Sequence, residues 1–205
     1  MARVVRSVVF MVLLSAVCTA VPAWLKASTE DLVRGHELLK TRRNVLTAMN
    51  LLPAGATPFE INDIFQREVT AEEKHGRIYW TSRQKTGNAI VAFAVSGPGF
   101  WGPIEGVVAV NPENYRIIGV TFTKHSETPG LGGRIDEEWF QKQFDGLKLD
   151  PESRDPLVRL VAPGTGTRPT DVDAITGATE TSRKIQQLFD RDARAALEVL
   201  NGEHI

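Results

Sequence analysis

The chain opens on an unbroken apolar run and then changes rhythm. Residues 7–25 carry no charge, with Arg3 and Arg6 before them and Lys26 after. Such a run comes close to the roughly 20 residues that an α-helix needs to cross a bilayer. The stretch that follows, to about Asn50, places Leu32, Leu39, Leu46 and Met49 at helical spacing among Arg34, Lys40, Arg42 and Arg43. Ser28, with Asp31 three residues on, resembles a capping box that would start this second helix. Pro53, Gly55 and Pro58 would end it. The period then shortens. Residues 64–70, 77–82, 89–95, 104–110 and 116–123 read as strands, rich in Val, Ile and Phe and separated by Gly, Pro and Asn. The last two are joined by Asn111-Pro-Glu-Asn114, a turn by composition, and so form an antiparallel hairpin.

A short helix is expected over residues 137–144, and a long loop rich in Pro, Gly, Thr and Asp over 162–177. A closing helix over residues 179–200 carries Ile185, Leu188, Phe189, Ala196, Leu197 and Leu200 as its buried stripe. These elements define an α+β fold, an antiparallel sheet packed against helices and preceded by one N-terminal transmembrane helix. The organisation expected is a membrane anchor over residues 1–27, a juxtamembrane helix and linker over 28–58, and a folded domain over 59–205. The arginines ahead of the apolar run favour a cytoplasmic N-terminus, which leaves the C-terminal domain extracytoplasmic on a single-pass protein. A cleaved signal peptide ending near Ala20 or Ala23 is the rival reading. The uncharged run is longer than the usual h-region of roughly 7–15 residues, which favours a retained anchor.

A formal net charge of -1 over 205 residues gives no electrostatic argument for nucleic acid, and no basic cluster is interleaved with aromatics. The single cysteine, Cys18, excludes an intramolecular disulfide and a multi-cysteine metal site within the chain. His36, His75, His125 and His204 are scattered, so no metal is expected.

Chemistry concentrates in three loops. Asp173-Ala-Ile-Thr-Gly-Ala-Thr179 stands at the mouth of the closing helix. A helix N-terminus offers unpaired N–H groups and partial positive charge, so it suits a phosphate. Gly177 and Ala178 would let a phosphate approach the backbone, and Thr179 supplies a hydroxyl that could be esterified. The same residues also suit an ordinary cap made by Thr176 or Thr179. His125-Ser-Glu-Thr-Pro-Gly-Leu-Gly-Gly133 describes a tight exposed loop. In it Glu127, Thr128 and the backbone around Gly130 and Gly132 could hydrogen-bond a polar heterocycle, with Leu131 packing on its face. Ser96-Gly-Pro-Gly-Phe-Trp-Gly-Pro103 adds Phe100 and Trp101, which could wall an aromatic cofactor or close a core edge.

In this order behind an apolar run, the three loops resemble the FMN-binding domain family. Within it they are similar to the C subunit of the sodium-translocating NADH:quinone oxidoreductase and, next, to the G subunit of the Rnf complex. Arg42-Arg-Asn-Val-Leu-Thr-Ala is similar to the juxtamembrane helix of that C subunit. The resemblance implies covalent FMN, joined through its phosphate to Thr179 by a dedicated flavin transferase, with Thr181 the competing hydroxyl. Asp173, Thr176, Gly177 and Ala178 would complete the attachment motif, with Asp173 binding the transferase's metal or orienting the loop. Also implied is an electron-carrier subunit of a membrane NADH:quinone oxidoreductase coupled to sodium export. Its partners would be the other subunits and membrane lipid, and the chain alone would hold no complete active site. An Rnf subunit, a stand-alone extracytoplasmic flavoprotein, or an anchored non-redox binding domain are the alternatives.

Overall fold

A computed structural model describes residues 1–83 and 89–202, so His204 lies outside the described residues. Met1–Leu39 and Lys40–Ile205 form two compact units. The first helix, α1 (Ala2–Ala48), supplies all of the first unit but Met1 and begins the second.

In the first unit, Arg3–Glu30 is long and apolar enough to cross a membrane. At 1.5 Å per residue its 28 residues reach about 42 Å, against a hydrocarbon core of about 30 Å. The helix start expected at Ser28 is absent. Ser28 Oγ donates to the Trp24 carbonyl at 2.9 Å and Thr29 Oγ1 to Leu25 at 2.9 Å, so both hydroxyls are satisfied by the preceding turn of a continuing helix. No Gly or Pro lies between Leu25 and Ser28 to stop it. The side chains of Asp31 and Leu32 lie outside the described residues.

The second unit is built on a five-stranded antiparallel meander in the order β1-β2-β3-β4-β5. The strands are β1 (Val69–Lys74), β2 (Arg77–Arg83), β3 (Ala89–Pro98), β4 (Pro103–Val110) and β5 (Ile117–Lys124). The hairpin expected at Asn111 is the β4–β5 turn. The strand expected over 64–70 is mostly helix: α2 spans Pro58–Glu68. Thr57 caps it in a reciprocal box with Glu60, and Pro58 occupies the first turn, where its missing N–H costs nothing. Pro58 therefore opens a helix instead of closing a linker.

Both faces of the central strands are covered. On one face Ala92, Ala109 and Gly119 lie in register, a row of small residues. The end of α1 settles on this row so closely that a Cβ on Gly119 would stand 2.6 Å from the Ala48 carbonyl oxygen. Val45 and Leu46 of α1, Met49 just after it and Ile61 of α2 are buried. The opposite face carries the main core, where Phe93, Val108, Val120 and Phe122 meet Phe140, Phe144, Ile185 and Phe189. The rings of Phe144 and Phe189 stack at 5.1 Å.

The helix expected over 137–144 is an α-turn, α3 (Glu138–Gln141), flanked by 3₁₀ turns at Gly132–Asp136 and Lys142–Phe144. The closing helix keeps its expected extent and buries every residue of the expected stripe. It runs as α4 (Thr179–Leu188), a π-helical turn (Phe189–Ala193) and α5 (Arg194–Gly202). Side chains of the π turn reach two neighbours: Asp190 accepts from Leu157 N–H at 2.8 Å and Asp192 from Ser96 N–H at 2.7 Å.

The stretch expected as a plain loop before α4 contains a strand. There β7 (Asp171–Asp173) pairs in parallel with β6 (Arg159–Val161). Asp171 locks this excursion: it takes a bidentate bond from Arg159 at 2.8 Å and the N–H groups of Thr167 and Arg168 at 2.7 and 2.9 Å. The Arg159 guanidinium, helped by those two amides, holds its carboxyl well below the ordinary carboxylate range.

Candidate functional site

Three loops that lie far apart in the chain converge beside the mouth of α4 on a cleft of about 260 Å³. Phe100 and Trp101 come from the β3–β4 turn. Glu127, Thr128, Leu131 and Gly132 come from the segment after β5. Gly177, Ala178, Thr179, Glu180 and Thr181 form the helix mouth. Phe100, Trp101 and Leu131 stay largely exposed, at 53%, 67% and 45%, and make an apolar rim. Their rings and methyls form a surface on which a flat heterocycle can lie.

Glu127 holds the three segments together. It is buried, and its Oε1 accepts from the N–H groups of Phe100 at 2.7 Å and Trp101 at 3.1 Å. Its Oε2 accepts from Thr181 Oγ1 at 2.6 Å. Its own N–H donates to His125 Nδ1 at 3.1 Å, while His125 Nε2 lies 2.9 Å from Asp136. The side chain read from sequence as a contact for a heterocycle therefore has three protein donors of its own. Gly132 is what lets the loop approach. A Cβ there would stand 2.4 Å from Thr181 Oγ1 and 2.8 Å from Glu127 Oε2.

At the helix mouth the capping threonine expected from sequence is replaced by Ala178, which occupies the N-cap with no side-chain bond. The local hydroxyl is Ser182 instead, accepting from Ile175 N–H at 3.2 Å and donating to the Ala178 carbonyl at 3.0 Å. Thr176 and Thr179 are thus free of capping duty. Among the described residues, the N–H groups of Thr179, Glu180 and Thr181 have no acceptor. Gly177 reaches the mouth with φ +78, and a Cβ on it would press to 3.2 Å of Leu131 Cδ2, narrowing the cleft. The two candidate hydroxyls differ sharply. Thr179 is exposed and its side chain makes no hydrogen bond among the described residues, whereas Thr181 is 3% exposed and bonded to Glu127.

Of the residues singled out in the sequence, Trp101, Glu127, Thr128, Leu131, Gly132, Gly177, Ala178 and Thr179 line the cleft. Gly130, Thr176 and Asp173 do not. Gly130 forms the turn beneath the loop with φ +74. Asp173 lies outside the lining, and its carboxylate accepts from Gly164 N–H of the preceding loop at 2.9 Å. Glu180 is the lining residue that sequence reasoning does not single out. It pairs with Arg183, and an acid in the second helical position of a first turn is the only signal for it. Among the described residues, no Lys, Arg or His lines the cleft.

Comparison with known proteins agrees with the family resemblance. The family described as FMN-binding domain matches residues 99–192, the span that contains all three segments of the cleft. The chain is similar to the C subunit of the Na(+)-translocating NADH-quinone reductase of Vibrio vulnificus, 35% identical over 109 residues, covering 52% of this chain and 43% of that protein. It is also similar to the corresponding protein of Neisseria meningitidis, 31% identical over 122 residues, covering 59% and 47%. The chain thus aligns with less than half the length of these curated relatives. Among solved structures, the C subunit of the same reductase from Parabacteroides distasonis superposes with a TM-score of 0.72 at 22% identity, covering 83% of this chain and 96% of that one. Shewanella oneidensis NqrC gives 0.69 at 22% identity, covering 82% and 98%. The α+β fold is therefore the one these two structures share, and the resemblance read from the loops holds.

Proposed function

We propose that this chain is an electron-carrier subunit that holds FMN in the cleft, bound covalently through a phosphoester to Thr179. The observation that carries the reading is the contrast between the two threonines. Among the described residues, Thr179 presents an exposed hydroxyl without a hydrogen bond beside three N–H groups without an acceptor, and Thr181 is buried and engaged. Those N–H groups and the helix dipole suit phosphate oxygens. Yet among the described residues the lining contributes two carboxylates, Glu127 and Glu180, and no cation. Ionic attraction alone would hold a phosphate weakly in such surroundings, which favours a covalent tether.

When bound, the flavin supplies the redox chemistry; the chain binds and orients it. Phe100, Trp101 and Leu131 offer the ring an apolar face, and Thr128 with the backbone around Gly132 offers polar contacts. A cleft of about 260 Å³ is small against the roughly 300–1,000 Å³ of sites that enclose a ligand, so one edge of the ring stays open for electron exchange. We further infer that the chain works within a membrane NADH:quinone oxidoreductase that translocates sodium. NADH oxidation and quinone reduction would fall to partner subunits, Arg3–Glu30 would anchor the chain, and the domain would lie outside the cytoplasm. The named relatives and the apolar helix support this.

The test is in-gel flavin fluorescence after denaturation, with the full chain co-expressed with a flavin transferase. Wild type is expected to fluoresce and Thr179→Ala to be dark. A bright alanine variant refutes the acceptor, and a dark wild type refutes the covalent link. Copurification with the other oxidoreductase subunits from membranes tests the assembly.

A further inference from the structure

Thr179 closes the attachment motif, yet Thr181 offers a second hydroxyl on the same first turn of α4. We propose that Glu127, 54 residues away from Thr181 in sequence, makes the choice. It is a positioning residue: it sequesters the Thr181 hydroxyl and so restricts phosphoester formation to Thr179. This rests on the covalent reading given above.

The reacting step needs a free hydroxyl oxygen. The threonine Oγ attacks the phosphorus of a flavin phosphoric anhydride supplied to the transferase. A new O–P bond forms, the anhydride P–O bond breaks, the leaving phosphate carries away the bonding pair, and the hydroxyl proton passes to a base of the transferase. No atom is oxidised or reduced. Thr181 cannot enter this step while its proton points to Glu127 Oε2 at 2.6 Å and its side chain is 3% exposed. The carboxylate cannot turn away to release it, because Oε1 is pinned by the Phe100 and Trp101 amides at 2.7 and 3.1 Å. Gly132 closes over the same bond from outside. The clasp thus does two things at once: it blocks one oxygen and fixes the aromatic rim against the helix mouth.

Flavin is located by peptide mass spectrometry on the full chain co-expressed with the transferase. Thr179→Ala alone should carry no flavin on Thr181. Thr179→Ala with Glu127→Ala should carry it there at roughly tenfold or more above the background signal of the single variant, the factor that loss of one charge-assisted hydrogen bond supplies. Thr179→Ala with Glu127→Gln should stay at the single variant's level, since the amide can still engage both loops and the Thr181 oxygen. A folded Thr179→Ala/Glu127→Ala protein with no label on Thr181 overturns the proposal. Should Glu127→Ala fail to fold, Glu127→Asp, one methylene shorter, replaces it, with native-state amide exchange at Phe100 and Trp101 as a second measurement. Faster exchange together with label on Thr181 supports the clasp; unchanged exchange, or faster exchange without label, overturns it. Label on Thr181 in the Thr179→Ala single variant overturns both the clasp and the acceptor assignment. An unlabelled wild type overturns the covalent reading beneath them.

Discussion

Replacing Gly132 by alanine tests how tightly the three loops are drawn together. The added Cβ would stand 2.4 Å from Thr181 Oγ1, 2.8 Å from Glu127 Oε2 and 3.1 Å from Glu127 Cβ, where ordinary contacts begin at 3.4 Å. Neither neighbour has room to retreat. Thr181 is buried on the first turn of α4, and Glu127 is buried and held by two amides. The bond between them must break or the loop must lift. Losing a hydrogen bond to a charged group costs about 1.5–3 kcal/mol. Overpacking adds about 1–3 kcal/mol. Alanine returns about 0.4–1 kcal/mol by stiffening the unfolded chain. The net loss is about 2–5 kcal/mol, which in a domain of this size lowers Tm by roughly 5–20 °C. Thermal melting followed by circular dichroism reads this directly, with urea titration as a check that the slope is unchanged. Gly202→Ala, whose Cβ would meet nothing within 4 Å among the described residues, serves as control and should match wild type or exceed it slightly. A Gly132→Ala protein melting within about 2 °C of wild type would refute the reasoning, because the clasp would then have slack that the distances deny.

Acid stability should depend on Asp171. Its carboxyl is held below the ordinary range when folded, so its contribution is complete above the unfolded value of about 3.9 and is lost as pH falls towards the folded one. Asp171→Asn should therefore melt below wild type at neutral pH, with the gap closing below about pH 4; a gap that persists unchanged to about pH 2 contradicts the assignment. Thr57→Ala removes one half of the capping box on α2 and should cost about 1 kcal/mol, a Tm loss of roughly 2–4 °C. Thr57→Ser, which keeps the accepting oxygen, should restore most of it, and a melt that ignores the alanine change would show that α2 does not depend on its cap.

Much of the architecture is legible because it is written in local periodicity. The apolar run of α1, the stripe of the closing helix and the Asn111 hairpin each follow from spacing that the nearest dozen residues enforce. Where sequence and structure differ, a local signal has two meanings. Pro58 reads as a stop, although Thr57 and Glu60 around it spell the start of a helix. Ser28 reads as a cap, although in the middle of an uninterrupted helix a serine simply bonds back one turn. Asp171–Asp173 is hidden within a loop because a three-residue parallel strand shows itself only through its distant partner.

The candidate site divides along the same line. Sequence by itself picked out the three loops that line the cleft, since glycines, a helix mouth and exposed aromatics have local signatures. The resemblance puts the flavin phosphate on Thr179 with Thr181 as the competing hydroxyl, and Glu127 reads as a contact for the ligand. Only the tertiary structure shows Thr181 buried and bonded while Thr179 stays exposed, because the bond to Glu127 joins residues 54 apart. A hydroxyl's reactivity depends on what already holds its proton. That partner is chosen by how the sheet and the closing helix pack, a matter on which neither segment alone carries information.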